Sequence, residues 1–171
     1  MTLKMVPYIP TPYMIIADIL GIAEARPEDV LIDLGSGDGR ILIKAVEEYN
    51  VQKAIGYEIR SDLFKVSLLE IQKRNLQDRI TVYNKDFLEV DIPTASVVTL
   101  YLSPDMNKNL RPKLEGELGL GTRIISITYK IDGWKGNKFS CGGFSRSRQL
   151  PYRWNSYYYP IYKYIVPYAF N

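Results

Sequence analysis

The stretch "VLIDLGSGDGR", Val30 to Arg40, decides the fold. Apart from Asp33 its first five residues are apolar, the pattern of a short strand buried on both faces. Glycines follow at 35, 37 and 39, where they permit positive φ and let a ligand approach the backbone closely. From Gly39 the period becomes helical, with Leu42, Ala45, Val46 and Tyr49 on one face. A helix N-terminus after such a turn is expected to aim its N–H groups at a ligand. In open α/β sheets that position, the carboxyl end of the first strand, is where ligands bind.

Working outward, the alternation continues. Upstream lies "VPYIPTPYMI", Val6 to Ile15, with three prolines and two tyrosines. Proline locks φ and pushes its predecessor out of the α region, so Val6 to Thr11 reads as a stiff extended strip. A helix is predicted from Pro12 to Ala25, with Ile16, Ile19, Leu20 and Ala23 on its apolar face. Downstream the pattern predicts a strand over Lys53–Glu58 and a helix over Ser61–Asn75, capped by Ser61, with Phe64, Leu68 and Ile71 inward. Strands over Ile80–Asn84 and Ser96–Leu102 follow. A helix over Asp105–Leu118 would bury Met106, Leu110, Leu114 and Leu118, with Pro112 weakening its middle. Arg123–Tyr129 reads as a fifth strand. Gly136–Asn155 shows no periodicity, and Lys138–Cys141 is its only candidate strand. Tyr157–Val166 reads as the last strand, with Pro160 implying an edge position or a late start. Such alternation means an α/β fold: a doubly wound, mostly parallel sheet with right-handed crossovers.

Composition bounds the function. At 171 residues, 46% hydrophobic and 24% charged, the chain suits one globular domain over 1–171. No apolar run approaches the roughly 18–20 residues of a membrane span, and prolines interrupt any signal-peptide core. One cysteine, Cys141, points to a reducing compartment, so a cytoplasmic protein is expected. The absence of histidine excludes Ser-His-Asp and Cys-His catalysis and His-ligated metal, and no metal is expected. Net charge is +3, but residues 133–171 hold six basic and no acidic residues together with 12 of the 21 aromatics.

The glycine loop is not a nucleotide-phosphate motif. Its spacing is G-x-G-x-G, Arg40 stands where the dinucleotide fingerprint has its last glycine, and no P-loop lysine follows. Asp33 ahead of the glycines suits an amine-bearing ligand. Glu58 ends the next strand, 25 residues on, and can accept both hydroxyls of a ribose. Asp86 after the third strand can accept from an adenine amino group, and Phe87 can cover the ring. Together these describe S-adenosylmethionine, with S-adenosylhomocysteine as product.

The order "DLGSGDGR", "GYEIR", "NKDF" resembles the class I, seven-β-strand methyltransferases. With "VPYIPTP", "TLYLSPDMN", "LRPKLEGEL" and "IDGW" added, the chain is similar to archaeal protein-lysine methyltransferases. Those are related to the non-SET histone lysine methyltransferases and to mitochondrial enzymes acting on part of a membrane ATPase. The resemblance covers residues 5–135 and, more weakly, 157–166. It implies a Rossmann-like sheet with an antiparallel C-terminal strand. It also implies that residues 1–25 form a lid, bringing Tyr8, Pro10 and Thr11 to the methyl group. Gly35, Ser36, Gly37, Gly39 and Ile59 fall on the motifs that hold the cofactor. Tyr101 and Ser103 lie where this class keeps acceptor contacts, and Tyr129 ends the fifth strand.

Methyl transfer to an amine needs alignment and a lone pair more than an acid or base. With a pKa near 10.4, about one lysine amine in 2,500 is neutral at pH 7. A dry aromatic channel raises that fraction by disfavouring the ammonium. Tyr8, Tyr101 and Tyr129 are the channel candidates. The expected activity is protein-lysine N-methylation, on substrates that include chromatin proteins, by a monomer. RNA or DNA N-methylation is the rival, since "SRSR" and "YRWNSYYY" in the basic aromatic segment 133–171 mix cations with stacking faces. Against it, Ser103-Pro104 is followed by Asp105-Met106, without the second proline and aromatic that would hold a flipped base. A third reading is a non-catalytic S-adenosylmethionine-binding module on chromatin or nucleic acid.

Overall fold

The computed structural model describes residues 8–144, 156–167 and 169. The strands are β1 (Val30–Leu34), β2 (Lys53–Tyr57), β3 (Ile80–Tyr83), β4 (Val97–Leu100), β5 (Arg123–Ile127), β6 (Asn137–Phe144) and β7 (Ser156–Ile165). They form one sheet in the order β3-β2-β1-β4-β5-β7-β6. The first five run parallel, with Leu34 beside Tyr57 and Leu100, while β7 is antiparallel to both β5 and β6. The helices are α1 (Tyr13–Ile22), α2 (Arg40–Tyr49), α3 (Ser61–Lys73) and α4 (Pro104–Glu117).

Period-2 alternation sorts the core onto the two faces of the sheet. Leu31, Ala54, Val82, Val97 and Ile125 pack with Ile16, Ile19 and Leu20 of α1, Leu42 and Val46 of α2, and Ile71 of α3. Ile32, Ile55, Val98, Leu100 and Ile124 pack with Leu110 and Leu114 of α4. Trp134 and Tyr164 join that second cluster, with ring centroids 5.3 Å apart, and Trp134 Nε1 donates to Glu115 Oε1 at 2.7 Å. The "IDGW" stretch is therefore a buckle between α4 and β7. At the amino end of the sheet, Arg123 pairs with the buried Asp29 and donates to the Ala23 carbonyl. The opposite, carboxyl end is left to the site.

Several local expectations need correction. Asn137–Phe144 is a full strand at the edge of the sheet, longer than Lys138–Cys141. β7 lies inside the sheet despite Pro160, because its ladder with β5 ends at Ile161. The Pro160 carbonyl accepts from Thr128 N–H beyond that ladder, so the missing proline N–H faces the side where β5 has run out. Ser61 is the first residue of α3 rather than its cap: Arg60 holds the N-cap position without a side-chain capping bond. Leu68 is 42% exposed, whereas Ile71 is buried as expected and Ser67 is buried beside it on α3. α4 runs unbroken past Pro112, which is exposed.

Candidate functional site

The turn after β1 is wound inward. Gly35 and Ser36 both donate to the Tyr57 carbonyl, at 2.9 and 3.0 Å, and Gly39 donates to the Ser36 carbonyl at 2.9 Å. Gly37 N–H donates to Glu58 Oε2 at 2.8 Å. The N–H groups of Gly35, Ser36, Gly37 and Gly39 are thus satisfied within the protein. A phosphate nest needs them free, so the turn offers contact surface and no phosphate cradle. Glycine is required at 37 twice over: φ is +56°, and a Cβ there would lie 2.6 Å from the Tyr8 ring. At 56, in β2, a Cβ would lie 2.6 Å from Ser36 Oγ.

Two carboxylates face this turn. Glu58 is 6% exposed; Oε1 accepts from Arg60 N–H at 2.7 Å while Oε2 holds Gly37. Each oxygen keeps a further lone pair, so a fixed, buried acceptor pair is available to a ligand's hydroxyls. The segment behind it is held by Asn84, whose amide donates to the carbonyls of Glu58 and Ile59 at 2.8 and 3.1 Å. Asp33 is 3% exposed, and Thr99 Oγ1 on β4 donates to its Oδ1 at 2.7 Å. Burial pushes the Asp33 carboxyl up to about 7, against the lowering by the Thr99 hydrogen bond, and the nearby charges of Glu58 and Asp38 push the same way as burial.

A cleft opens at this edge of the sheet. Of the residues singled out from sequence, it is lined by Tyr8, Pro10, Thr11, Asp33, Gly35, Ser36, Gly37, Glu58, Ile59, Asp86, Phe87 and Tyr101. Asp86 Oδ1 also accepts from Leu88 N–H at 2.9 Å, which fixes the loop after β3. Gly39, Ser103 and Tyr129 are not part of the lining. Gly39 is the N-cap of α2. Ser103 caps α4, its Oγ accepting from Met106 N–H at 3.2 Å. Tyr129 is 43% exposed beyond β5. There Thr128 takes φ +72°, an uncommon conformation for a β-branched residue, and Tyr129 N–H donates to the Ile127 carbonyl at 2.9 Å, closing a γ-turn. The buried Asn107 of α4 steadies it, donating to the carbonyls of Tyr129 and Lys130 at 3.3 and 3.4 Å.

Sequence reasoning missed Asp38, Arg40, Arg60 and Met106 in the lining, as well as Thr99 and Asn84 behind it. Asp38 and Arg40 were legible as the charged tail of the glycine motif. Thr99 and Asn84 gave no local signal.

S-adenosylmethionine fits these residues. One buried side-chain oxygen of a lining residue, Ser36 Oγ, has no hydrogen-bond partner within the protein, while the Tyr8 hydroxyl lies beside Asp38. A buried polar atom of that kind is rare without a ligand or water. The acidic pair suits a ligand with hydroxyls and an amine.

The profile of the ANTKMT methyltransferase domain matches residues 33–138. A protein-lysine N-methyltransferase of Saccharolobus islandicus is 43% identical over 129 residues, 75% of this chain and 80% of that protein. The mouse adenine nucleotide translocase lysine N-methyltransferase is 28% identical over 76% of this chain, which spans only 56% of the mouse protein. Among solved structures, an RNA methyltransferase of Salinibacter ruber with bound S-adenosyl-L-homocysteine is 31% identical, with a TM-score of 0.78 over 93% of this chain and 94% of that one.

Proposed function

The chain belongs to the ANTKMT methyltransferase domain family, and on that basis we propose that it transfers methyl groups from S-adenosylmethionine to lysine amines of protein substrates. The observation that carries the reading is the pairing of a fixed, buried Glu58 with a glycine turn whose N–H groups are already spent, beside a cleft walled by tyrosines. The 43% identity to a protein-lysine N-methyltransferase supports the acceptor.

When bound, S-adenosylmethionine supplies a methyl group activated by its sulfonium sulfur. Glu58 would hold the ribose hydroxyls, Asp86 and Phe87 the adenine, and Asp33 the amine end. Gly35, Ser36, Gly37, Gly39 and Ile59 would shape the bed, and Pro10 and Thr11 the cover. Tyr8 and Tyr101 would wall the acceptor path, with Ser103 and Tyr129 farther out. Their work is to orient the amine, exclude water and disfavour its ammonium form. None needs to act as a strong base, and the chain has no histidine. We further propose a cytoplasmic monomer acting on exposed lysines, chromatin proteins among them; no helix of the described residues is long and apolar enough to cross a membrane.

RNA methylation is a second reading, favoured by the Salinibacter structure. The segment that raised it, around "SRSR" and "YRWNSYYY", lies mostly outside the described residues. A cell extract incubated with this protein and methyl-labelled cofactor separates the readings. Label removed by protease and untouched by ribonuclease supports lysine transfer; label removed by ribonuclease supports the rival.

A further inference from the structure

The N-terminal strip meets the glycine turn through one guanidinium. Arg40 is the first residue of α2. Its Nε donates to Asp38 Oδ1 at 2.9 Å and Nη2 to Asp38 Oδ2 at 2.5 Å. Its Nη1 donates to the backbone carbonyl of Thr11 at 3.0 Å. Its flat face lies over the Tyr13 ring, 4.5 Å from the centroid. The side chains of both Arg40 and Asp38 are more than four-fifths buried. One residue therefore grips the turn with one edge, the strip's backbone with another, and the start of α1 with its face. Neither the Thr11 contact nor the Tyr13 contact is needed to begin α2.

Tyr8 stands on the other side of Thr11. Its ring packs on Gly37, its buried hydroxyl lies beside Asp38, and Arg60 lies 6.0 Å from the ring centroid. These are side-chain contacts, so the place of Tyr8 over the cleft also depends on where the strip's backbone is fixed. Thr11, 6% exposed and bonded to Arg40, is that fixed point. α1 beyond it has its own anchors: Ile16, Ile19 and Leu20 are fully buried, and Tyr49 OH donates to the Ala17 carbonyl at 2.7 Å. Loss of the Arg40 grip would free the strip and leave α1 in place.

We propose that Arg40 is a positioning residue, a latch that holds residues 8–13 over the glycine turn so that Tyr8 walls the acceptor path. This rests on the acceptor reading given above. Lysine cannot replace it, since an ammonium has neither the fork for Asp38 nor the face for Tyr13.

Amide relaxation and hydrogen exchange on the protein alone, paired with transfer rates on a labelled acceptor, test the latch. In Arg40→Ala, the backbone order parameters of Ile9 and Thr11 should fall from about 0.85 to below about 0.6. Amides of β1 and of the α2 interior should keep their exchange protection, and kcat should fall about tenfold or more. Arg40→Lys should lie between wild type and Arg40→Ala, and Tyr13→Ala, which leaves the turn untouched, should loosen the strip less. Unchanged order parameters at Ile9 and Thr11 would overturn the latch. So would lost protection throughout β1 and α2, which marks a merely structural residue, or a loosened strip with kcat intact. A wild-type protein that transfers nothing to lysine would sink the acceptor reading, while the relaxation measurement would still decide whether Arg40 fixes the strip.

Discussion

The carboxyl end of the sheet is built differently on its two sides. On the β1–β2 side, within the cleft, Asp33 and Glu58 are more than nine-tenths buried, and Gly37, Arg60 and, from β4, Thr99 fix their oxygens. On the β4–β5 side, Ser103 spends its hydroxyl on a helix cap and Tyr129 stands half in solvent on a γ-turn. A ligand that is the same in every turnover rewards a preorganised bed, because the ordering cost is met in folding. A polypeptide acceptor needs an open rim. The cofactor half should therefore be sensitive to single atoms and the acceptor half tolerant.

The largest effect should come from the bed. Glu58→Ala removes a charged acceptor and also frees Gly37 and Arg60, so cofactor affinity should fall by about 2–4 kcal/mol, the worth of one or two charge-assisted bonds. Calorimetry showing wild-type affinity would break the contrast at its strongest point. Next comes the strip. A chain lacking residues 1–11 keeps every helix and strand described above, so it should melt cooperatively while its transfer rate drops about 10²-fold through lost alignment and admitted water. A truncated protein at full rate would reduce the strip to an arm.

Asp33 gives the contrast a pH signature. Its carboxyl titrates near 7 in the folded protein against 3.8 unperturbed, so the native state keeps a proton that the unfolded chain has released. Stability from this group is therefore present below about pH 4 and is lost as pH rises towards 7, at up to about 1.4 kcal/mol per unit. Asp33→Asn should flatten that slope in urea titrations at several pH values. A ligand with an amine beside Asp33 displaces the proton, so its affinity should climb between about pH 5 and 7 and then level off. Calorimetry in buffers of different ionisation enthalpy would register the released proton; no buffer dependence at about pH 6 would remove the amine from Asp33.

The acceptor half should respond weakly. Asn107→Ala frees the γ-turn that carries Tyr129, and about 1 kcal/mol is expected, seen in KM for the acceptor and absent from cofactor affinity. A larger loss in cofactor affinity would erase the division. Smallest of all is Tyr8→Phe. The ring and its packing on Gly37 survive the change, and the hydroxyl's neighbour is Asp38 rather than the acceptor, so the rate should stay nearly unchanged. A fall comparable to that of Tyr8→Ala would show that the hydroxyl meets the incoming amine.

Legibility in the sequence followed the same divide. Buried strands such as Val30–Leu34 and Val97–Leu100 are nearly continuous apolar runs and stand out locally. β6 did not, because Lys138 and Ser140 on an exposed edge carry no burial signal, and the strand is specified by its pairing with β7. Asp33, the glycines and Glu58 were readable as types at the ends of strands. That Gly37 N–H is spent on Glu58, 21 residues away, is a tertiary fact no local pattern holds. Thr99 and Arg40 likewise owe their importance to what folding sets beside them.

Lysine transfer itself is tested most directly by mass spectrometry of acceptor proteins. Purified wild-type and Glu58→Ala proteins would each be incubated with S-adenosylmethionine and an extract of lysine-rich proteins, and peptides sequenced for added methyl groups. One or more methyl groups are expected on lysine Nζ atoms, formed by the wild type and nearly abolished by Glu58→Ala. Methylation confined to nucleosides, or lysine methylation that Glu58→Ala leaves intact, would contradict the proposed activity.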